Sequence, residues 1–313
     1  MTPPRWKLAT AFALVYVIWG STYLGIRFAI ESMPPLLMMG VRWTLAGALV
    51  LPFAFARSSE RPTPLHWRSA AIVGGLMLLG GNGGVAWAQS HGLHSGLAAL
   101  LVAMVPLWMA LIDWLRPGGL RPRPQVALGL LLGFGGVALL VRPWEADSDV
   151  PLIGAGALVI ATSSWALGSI YSRHAPLPKA PLLAVGMEMV AGGLLLTLAG
   201  LLGGEAPRVD VAAVTAKAWT AFGYLVLFGS IVAFLAYIWL LQVSTPAKVS
   251  TYAYVNPVVA VALGAWLANE PFTLGTALAA GVILGGVALI TAYRTAAPPA
   301  GAATPPPPAP AGK

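Results

Sequence analysis

Ten apolar runs follow one another along the chain, at roughly 8–30, 36–56, 69–90, 95–115, 125–141, 151–172, 181–202, 217–241, 246–268 and 273–293. Each is about 17–25 residues long, enough to cross a hydrocarbon core of about 30 Å. A soluble domain averages about 25% charged residues. With only 9% charged and 58% hydrophobic residues, this chain could not cover its own surface in water. The expected class is an all-α polytopic membrane protein. The breaks around His91 to Ser95 and around Ser244 to Thr245 are short, so the edges of the third, fourth, eighth and ninth spans are the least defined. The first run follows Arg5 and Lys7 as a signal peptide would, but it is too long, and no small-residue cleavage site precedes Glu31. It is expected to be retained.

Charge placement orients the spans. Alternating loops put Arg5, Lys7, Arg57, Arg61, Arg68, Arg116, Arg121, Arg123, Arg173, Lys179, Lys248, Arg294 and Lys313 on one side. Only Arg27, Arg142, Arg208 and Lys217 fall on the other, with most of the acids. Cytoplasmic loops carry the excess of Lys and Arg, so both termini are expected in the cytoplasm of a multi-pass plasma or inner membrane protein. The net charge of +8 is therefore an orientation signal, and no nucleic acid partner is expected.

The chain is also duplicated. At one constant offset Trp19 matches Trp165, Arg27 matches Arg173, Pro35 matches Pro181, Gly40 matches Gly186 and Gly47 matches Gly193. Further on, Pro106 meets Pro257 and "GGVALL" at Gly135 meets "GGVALI" at Gly285. Five spans per copy is an odd number, so the second copy must cross in the opposite sense. An inverted 5+5 repeat follows, with residues 1–145 and 146–295 as the two five-helix units and 296–313 as a disordered Pro/Ala-rich tail. Inverted repeats characterise secondary transporters, whose solute site lies near the midplane between the halves.

Three stretches, "VIWGSTYLGIRFAI", "GVRWTLAG" and "STYAYVNPVVAVALGAWLANEPF", resemble EamA-type carriers of the drug/metabolite transporter superfamily, and the resemblance runs through about Tyr293. It implies a ten-helix carrier with an inverted five-helix repeat, of a kind that often exports metabolites, amino acids or toxic compounds. Glu188 departs from that pattern, where an uncharged residue such as glutamine is expected.

The candidate site residues follow from polarity at membrane depth. Arg42 lies about six residues, or roughly 9 Å, inside the outer edge. A charge there costs at least about 2.5–3.5 kcal/mol on insertion scales. It is expected to face the bundle or a wet cavity, either bonding backbone carbonyls or snorkelling as a structural group, or contacting an anion. Glu188, its counterpart, stands about 10 Å away in height, so a direct ion pair needs both side chains to reach inward. It is either a proton carrier or a neutral hydrogen-bonding acid. Trp19, Ser21, Tyr23, Asn82, Trp87, Gln89, Trp165, Ser169, Tyr237, Gln242, Tyr252, Tyr254 and Asn256 complete the set. Aromatics with a few polar groups suit an amphipathic organic solute, although Trp and Tyr also anchor helix ends at the interfaces. Pro106 and Pro257 remove one backbone bond each and are expected to break or gate the fourth and ninth spans.

Three function classes compete for such a chain. An enzyme acting on a lipid or lipophilic substrate needs a nucleophile, an acid–base pair or a metal cluster, and no such motif is present. His91 and His94 lack further ligands, so no metal and no cofactor is expected. A channel fits an inverted repeat poorly. The expected function is a secondary transporter, exporting small organic metabolites (amino acids, aromatic or amphipathic compounds) by alternating access. Its expected partners are the lipid bilayer, the solute and, as a further candidate, protons, in a monomer or homodimer.

Overall fold

A computed structural model describes residues 4–115, 123–141, 150–244, 249 and 251–294, apart from the side chains of Asp113, Leu241, Gln242 and Arg294. The expected tail, and the neighbours Asp113 and Arg116, therefore lie outside the described residues or side chains. The first half comprises α1 (Arg5–Ile30), α2 (Pro35–Arg57), α3 (Pro64–Ser90), α4 (Ser95–Val102 continuing as Val105–Leu115) and α5 (Pro124–Val141). The second comprises α6 (Leu152–Ser172), α7 (Pro181–Leu202), α8 (Ala216–Leu240), α9 (Tyr252–Ala268) and α10 (Leu274–Arg294). Among the described residues nine of these are long and apolar enough to span a bilayer, and α9 is shorter. Large apolar side chains such as Leu131, Leu202, Trp266 and Leu274 stay exposed, the pattern expected where a bilayer covers them.

Local chemistry sets where the helices start. Proline opens α2, α3 and α7 at the first turn, where its missing N–H costs nothing. Thr63 caps α3 by accepting from the His66 N–H at 3.3 Å. α4 breaks at Ala103–Met104, just before Pro106, whereas α9 runs unbroken through Pro257. Pro257 stands in the second turn of the described part of α9, where only one early carbonyl lacks its usual donor.

The halves interlock antiparallel. Along α2 and α7, Leu37 lies against Gly200, Gly40 against Thr197, Thr44 against Gly193, Gly47 against Val190 and Leu51 against Gly186. As one numbering rises the other falls, and the matched glycines of the duplication exchange partners. Gly47 meets the Gly186 carbonyl, and Gly193 meets the Gly40 carbonyl. α5 and α10 repeat this pattern, with Gly129 on Ile290 and Gly136 on Ile283. α1 packs on α8 and α9, while α6 packs on α3 and α4. This exchange is the two-fold relation of an inverted repeat. Close backbone contact through small residues replaces the hydrophobic drive that is missing between helices in lipid.

The acids that fix the helix ends follow the same symmetry. Glu205, just past α7, accepts from the N–H groups of Leu36 (3.2 Å) and Leu37 (2.9 Å) at the start of α2. Glu60, just past α2, accepts from Lys179 (2.8 Å) and Ala180 (3.3 Å) at the start of α7. Each answers a helix N-terminus with negative charge.

Candidate functional site

The helices α3 and α8 share an irregularity at corresponding positions. Gly75–Gly83 of α3 and Leu225–Val232 of α8 are wound as π-helix. A π segment widens the ring of backbone bonds and leaves carbonyls available to side chains, and such segments concentrate at functional sites. Here each receives a donor from the other half. Trp19 Nε1 on α1 donates to the Gly229 carbonyl at 3.2 Å, and Ser164 Oγ on α6 donates to the Leu76 carbonyl at 2.7 Å.

Arg42 meets the α8 segment one residue further along. Its Nε donates to Ser230 Oγ at 3.0 Å, and that hydroxyl donates in turn to the Leu225 carbonyl at 3.0 Å. Nη1 has only the Met39 sulfur, at 3.7 Å, and the Trp43 ring covers the guanidinium at 4.6 Å. Arg42 is 2% exposed, so protein closes over it and it faces the bundle rather than lipid. Among the described residues no carboxylate comes within 4.0 Å of it.

Glu188 is half-buried and makes no ion pair with Arg42. Its backbone carbonyl lies beside Gly74, next to the α3 π segment, so it faces the counterpart of the element that holds Arg42. The antiparallel register of α2 and α7 puts the two charged residues at different levels, as the height estimate required.

Above the Trp19 bond an aromatic cluster closes the seam between α1, α8 and α9. Ring centroids stand at 5.1 Å for Trp19–Tyr237, 5.2 Å for Trp19–Tyr252, 6.2 Å for Trp19–Phe234 and 5.8 Å for Tyr237–Tyr252. The edge-on contacts are the favourable arrangement of aromatic quadrupoles. Ser21 joins from the same helix, its hydroxyl 2.6 Å from the Tyr224 hydroxyl, and Tyr23 is half-buried one turn beyond Trp19. Asn256 ties α1 to α9, its amide donating to the carbonyls of Tyr252 (3.1 Å) and Tyr16 (3.2 Å).

Other expected residues stand apart from this seam. Trp87 stacks on His91 at 3.7 Å at the end of α3, an anchoring contact rather than a lining one. Tyr254 turns away, its hydroxyl donating to the Val287 carbonyl of α10 at 3.2 Å. Ser169 bonds the Trp165 carbonyl of its own helix, and Trp165 packs over Gly81. Asn82 is half-buried in the α3 π segment. Gln89 is buried with neither amide atom partnered. The Gln242 side chain is outside the described residues. The sequence does not single out Ser230 and the Gly229 carbonyl, because a π segment has the composition of any apolar helix, nor Phe234 and Ser164, which sit on ordinary helix with no periodic sign of facing.

At the end of the bundle where α1 stops and α4 begins, Arg27 is more than the symmetry mate of Arg173. Its Nη1 donates to Glu270 Oε1 at 2.9 Å and to His94 Nδ1 at 3.0 Å. Glu270 also accepts from Ser95 N (2.8 Å), Ser95 Oγ (2.8 Å) and Gly96 N (2.9 Å) at the start of α4. Asn269, at φ 49°, makes the left-handed turn that presents it. One carboxylate therefore closes α1, α4 and α9 together beside a small surface depression lined by His94, Leu97, Val261 and Phe272.

Comparisons with known proteins agree with this architecture. The EamA-like transporter family matches residues 6–142 and again 152–292, once per half. The "Uncharacterized inner membrane transporter YedA" of Escherichia coli is 40% identical over 287 residues, covering 90% of this chain and 89% of that protein. The "Probable amino-acid metabolite efflux pump" of Salmonella typhimurium is 30% identical over 279 residues, covering 87% and 90%. A chain solved by crystallography superposes with a TM-score of 0.60 at 22% identity, over 93% of this chain and 99% of that one, a likeness of fold. The chain belongs to the EamA-like transporter family and is a multi-pass membrane transporter, not an enzyme.

Proposed function

We propose that the protein is a secondary carrier that exports small organic metabolites, amino acids or related aromatic and amphipathic compounds, across the plasma or inner membrane by alternating access. One observation carries the reading. Trp19 from one half and Arg42 from the same half converge on Gly229 and Ser230, adjacent residues of a π segment in the other half. A solute held there touches both halves, so rocking one against the other exposes it to each side in turn. The Salmonella relative, named for amino-acid metabolite efflux, supports the solute class. The charge split along the sequence supports cytoplasmic termini.

Glu188 is the candidate proton carrier of this cycle. Neither α2 nor α3, the helices packed on it, brings a charged side chain within 4.0 Å. Reconstituted protein is expected to show saturable, exchange-stimulated flux of an amino-acid panel, and a linear, non-saturating flux would contradict a carrier. With a pH gradient imposed, Glu188→Gln is expected to lose the pH dependence of that flux while keeping exchange. An unchanged pH profile removes Glu188 from coupling.

A further inference from the structure

We infer that Arg42 is the docking point for an oxyanion, so that the solute carries a carboxylate joined to an apolar or aryl body. The inference rests on the carrier reading above and narrows it. A guanidinium offers five N–H donors in a planar fork. Arg42 uses one on Ser230 and a weak one on the Met39 sulfur, while Nη2 bonds nothing among the described residues. Two other cations are treated differently: Arg27 has Glu270 and Lys217 has Glu31, each within 2.9 Å. A charge as deeply enclosed as Arg42, with no counter-ion, is costly to keep. A ligand that brings the missing charge repays that cost.

The surroundings are shaped for such a group. Trp43 covers the face of the guanidinium, which leaves the edge for a planar partner. Gly229 keeps that edge clear, since a Cβ there would stand 3.1 Å from Nη2. Trp43 Nε1 is buried without a partner, a second orphan donor next in sequence. The Gly229 carbonyl binds Trp19, beyond which lie Phe234, Tyr237 and Tyr252, so an acid on Arg42 points its body at the aromatic cluster. The symmetry-related site lacks the cation: Glu188 stands where Arg42 does, although Trp165 still matches Trp19. The site takes one anion.

The test uses full-length protein in lipid nanodiscs, with 3-phenylpropionate, its neutral amide 3-phenylpropanamide and the cation phenethylamine as probes at constant ionic strength. Tryptophan fluorescence gives affinity and thermal unfolding gives stabilisation. The acid is expected to bind at least about tenfold more tightly than the amide. Arg42→Gln abolishes that preference, Arg42→Lys keeps part of it, and Trp43→Phe weakens the acid alone. Arg42→Lys and Trp43→Phe carry the test if Arg42→Gln does not elute as a folded protein. Equal binding of acid and amide, no binding of the acid, or an acid preference that survives in Arg42→Gln or stays undiminished in Arg42→Lys overturns the inference. Failure of the carrier reading looks different: the acid binds through Arg42 yet no probe crosses a proteoliposome membrane. Transport of the amine or the amide with no acid preference sinks the carboxylate and leaves the carrier standing.

Discussion

Gly193→Val is expected to separate α2 from α7 and cost about 3 kcal/mol or more, the upper range for overpacking, because the obstacle is backbone. A Cβ at Gly193 would run into the Thr44 N–H and stand 3.0 Å from the Gly40 carbonyl. No rotamer change relieves that contact, so the helices must part along the seam that holds the two halves together. Gly135→Ala is the matched control, because nothing lies within 4 Å of its Cβ and the change adds helix propensity. Thermal unfolding in detergent should show a large loss for Gly193→Val and none for Gly135→Ala. Equal behaviour of the two variants would mean that the antiparallel α2–α7 contact is not what joins the halves.

The second large effect concerns Glu270. Glu270→Ala leaves Arg27 without its partner and strands three donors at the start of α4. Losing one member of a buried pair costs about 3–5 kcal/mol. The Arg27 side chain is 31% exposed and can turn to water, which lowers the expectation to about 2–3 kcal/mol. Glu270→Gln keeps an acceptor and should cost less. Because both residues share one contact, the double variant with Arg27→Ala should be less destabilised than the sum of the single ones, by at least about 0.5–1 kcal/mol. Additive losses in thermal unfolding would show that the pair does not act as a unit.

The architecture was legible because it depends on features a single sequence carries. Run lengths are set by bilayer thickness, and the offset linking Trp19 to Trp165 and Gly47 to Gly193 reports the duplication. The odd number of spans per copy then dictates inversion, which the falling register of α2 against α7 displays. Trp19, Tyr237, Tyr252 and Arg42 were legible as a group, since polar and aromatic groups at membrane depth must turn inward.

Facing was the harder part. Helices apolar on every side give no periodic signal of which neighbour each side meets, so Tyr254, which bonds α10, looked equivalent to Tyr252, which lines the seam. The π segments carry no signature, so Gly229 and Ser230 did not stand out. The capping roles of Glu60, Glu205 and Glu270 join residues more than 100 positions apart, for which charge counting offers only a side of the membrane. From the sequence Arg27 reads only as the match of Arg173, and its ion pair with Glu270 gives it a role of its own.

The chain has no cysteine, so a thiol introduced at Thr22, whose methyl lies 3.0 Å from a Cβ built on Gly229, reports the seam without background. In oriented membrane vesicles, Thr22→Cys should react with a membrane-impermeant thiol reagent added to either side, and a transported solute should slow both reactions. Labelling from one side alone, or from neither, with no effect of solute, would contradict a binding seam that the two inverted halves expose alternately.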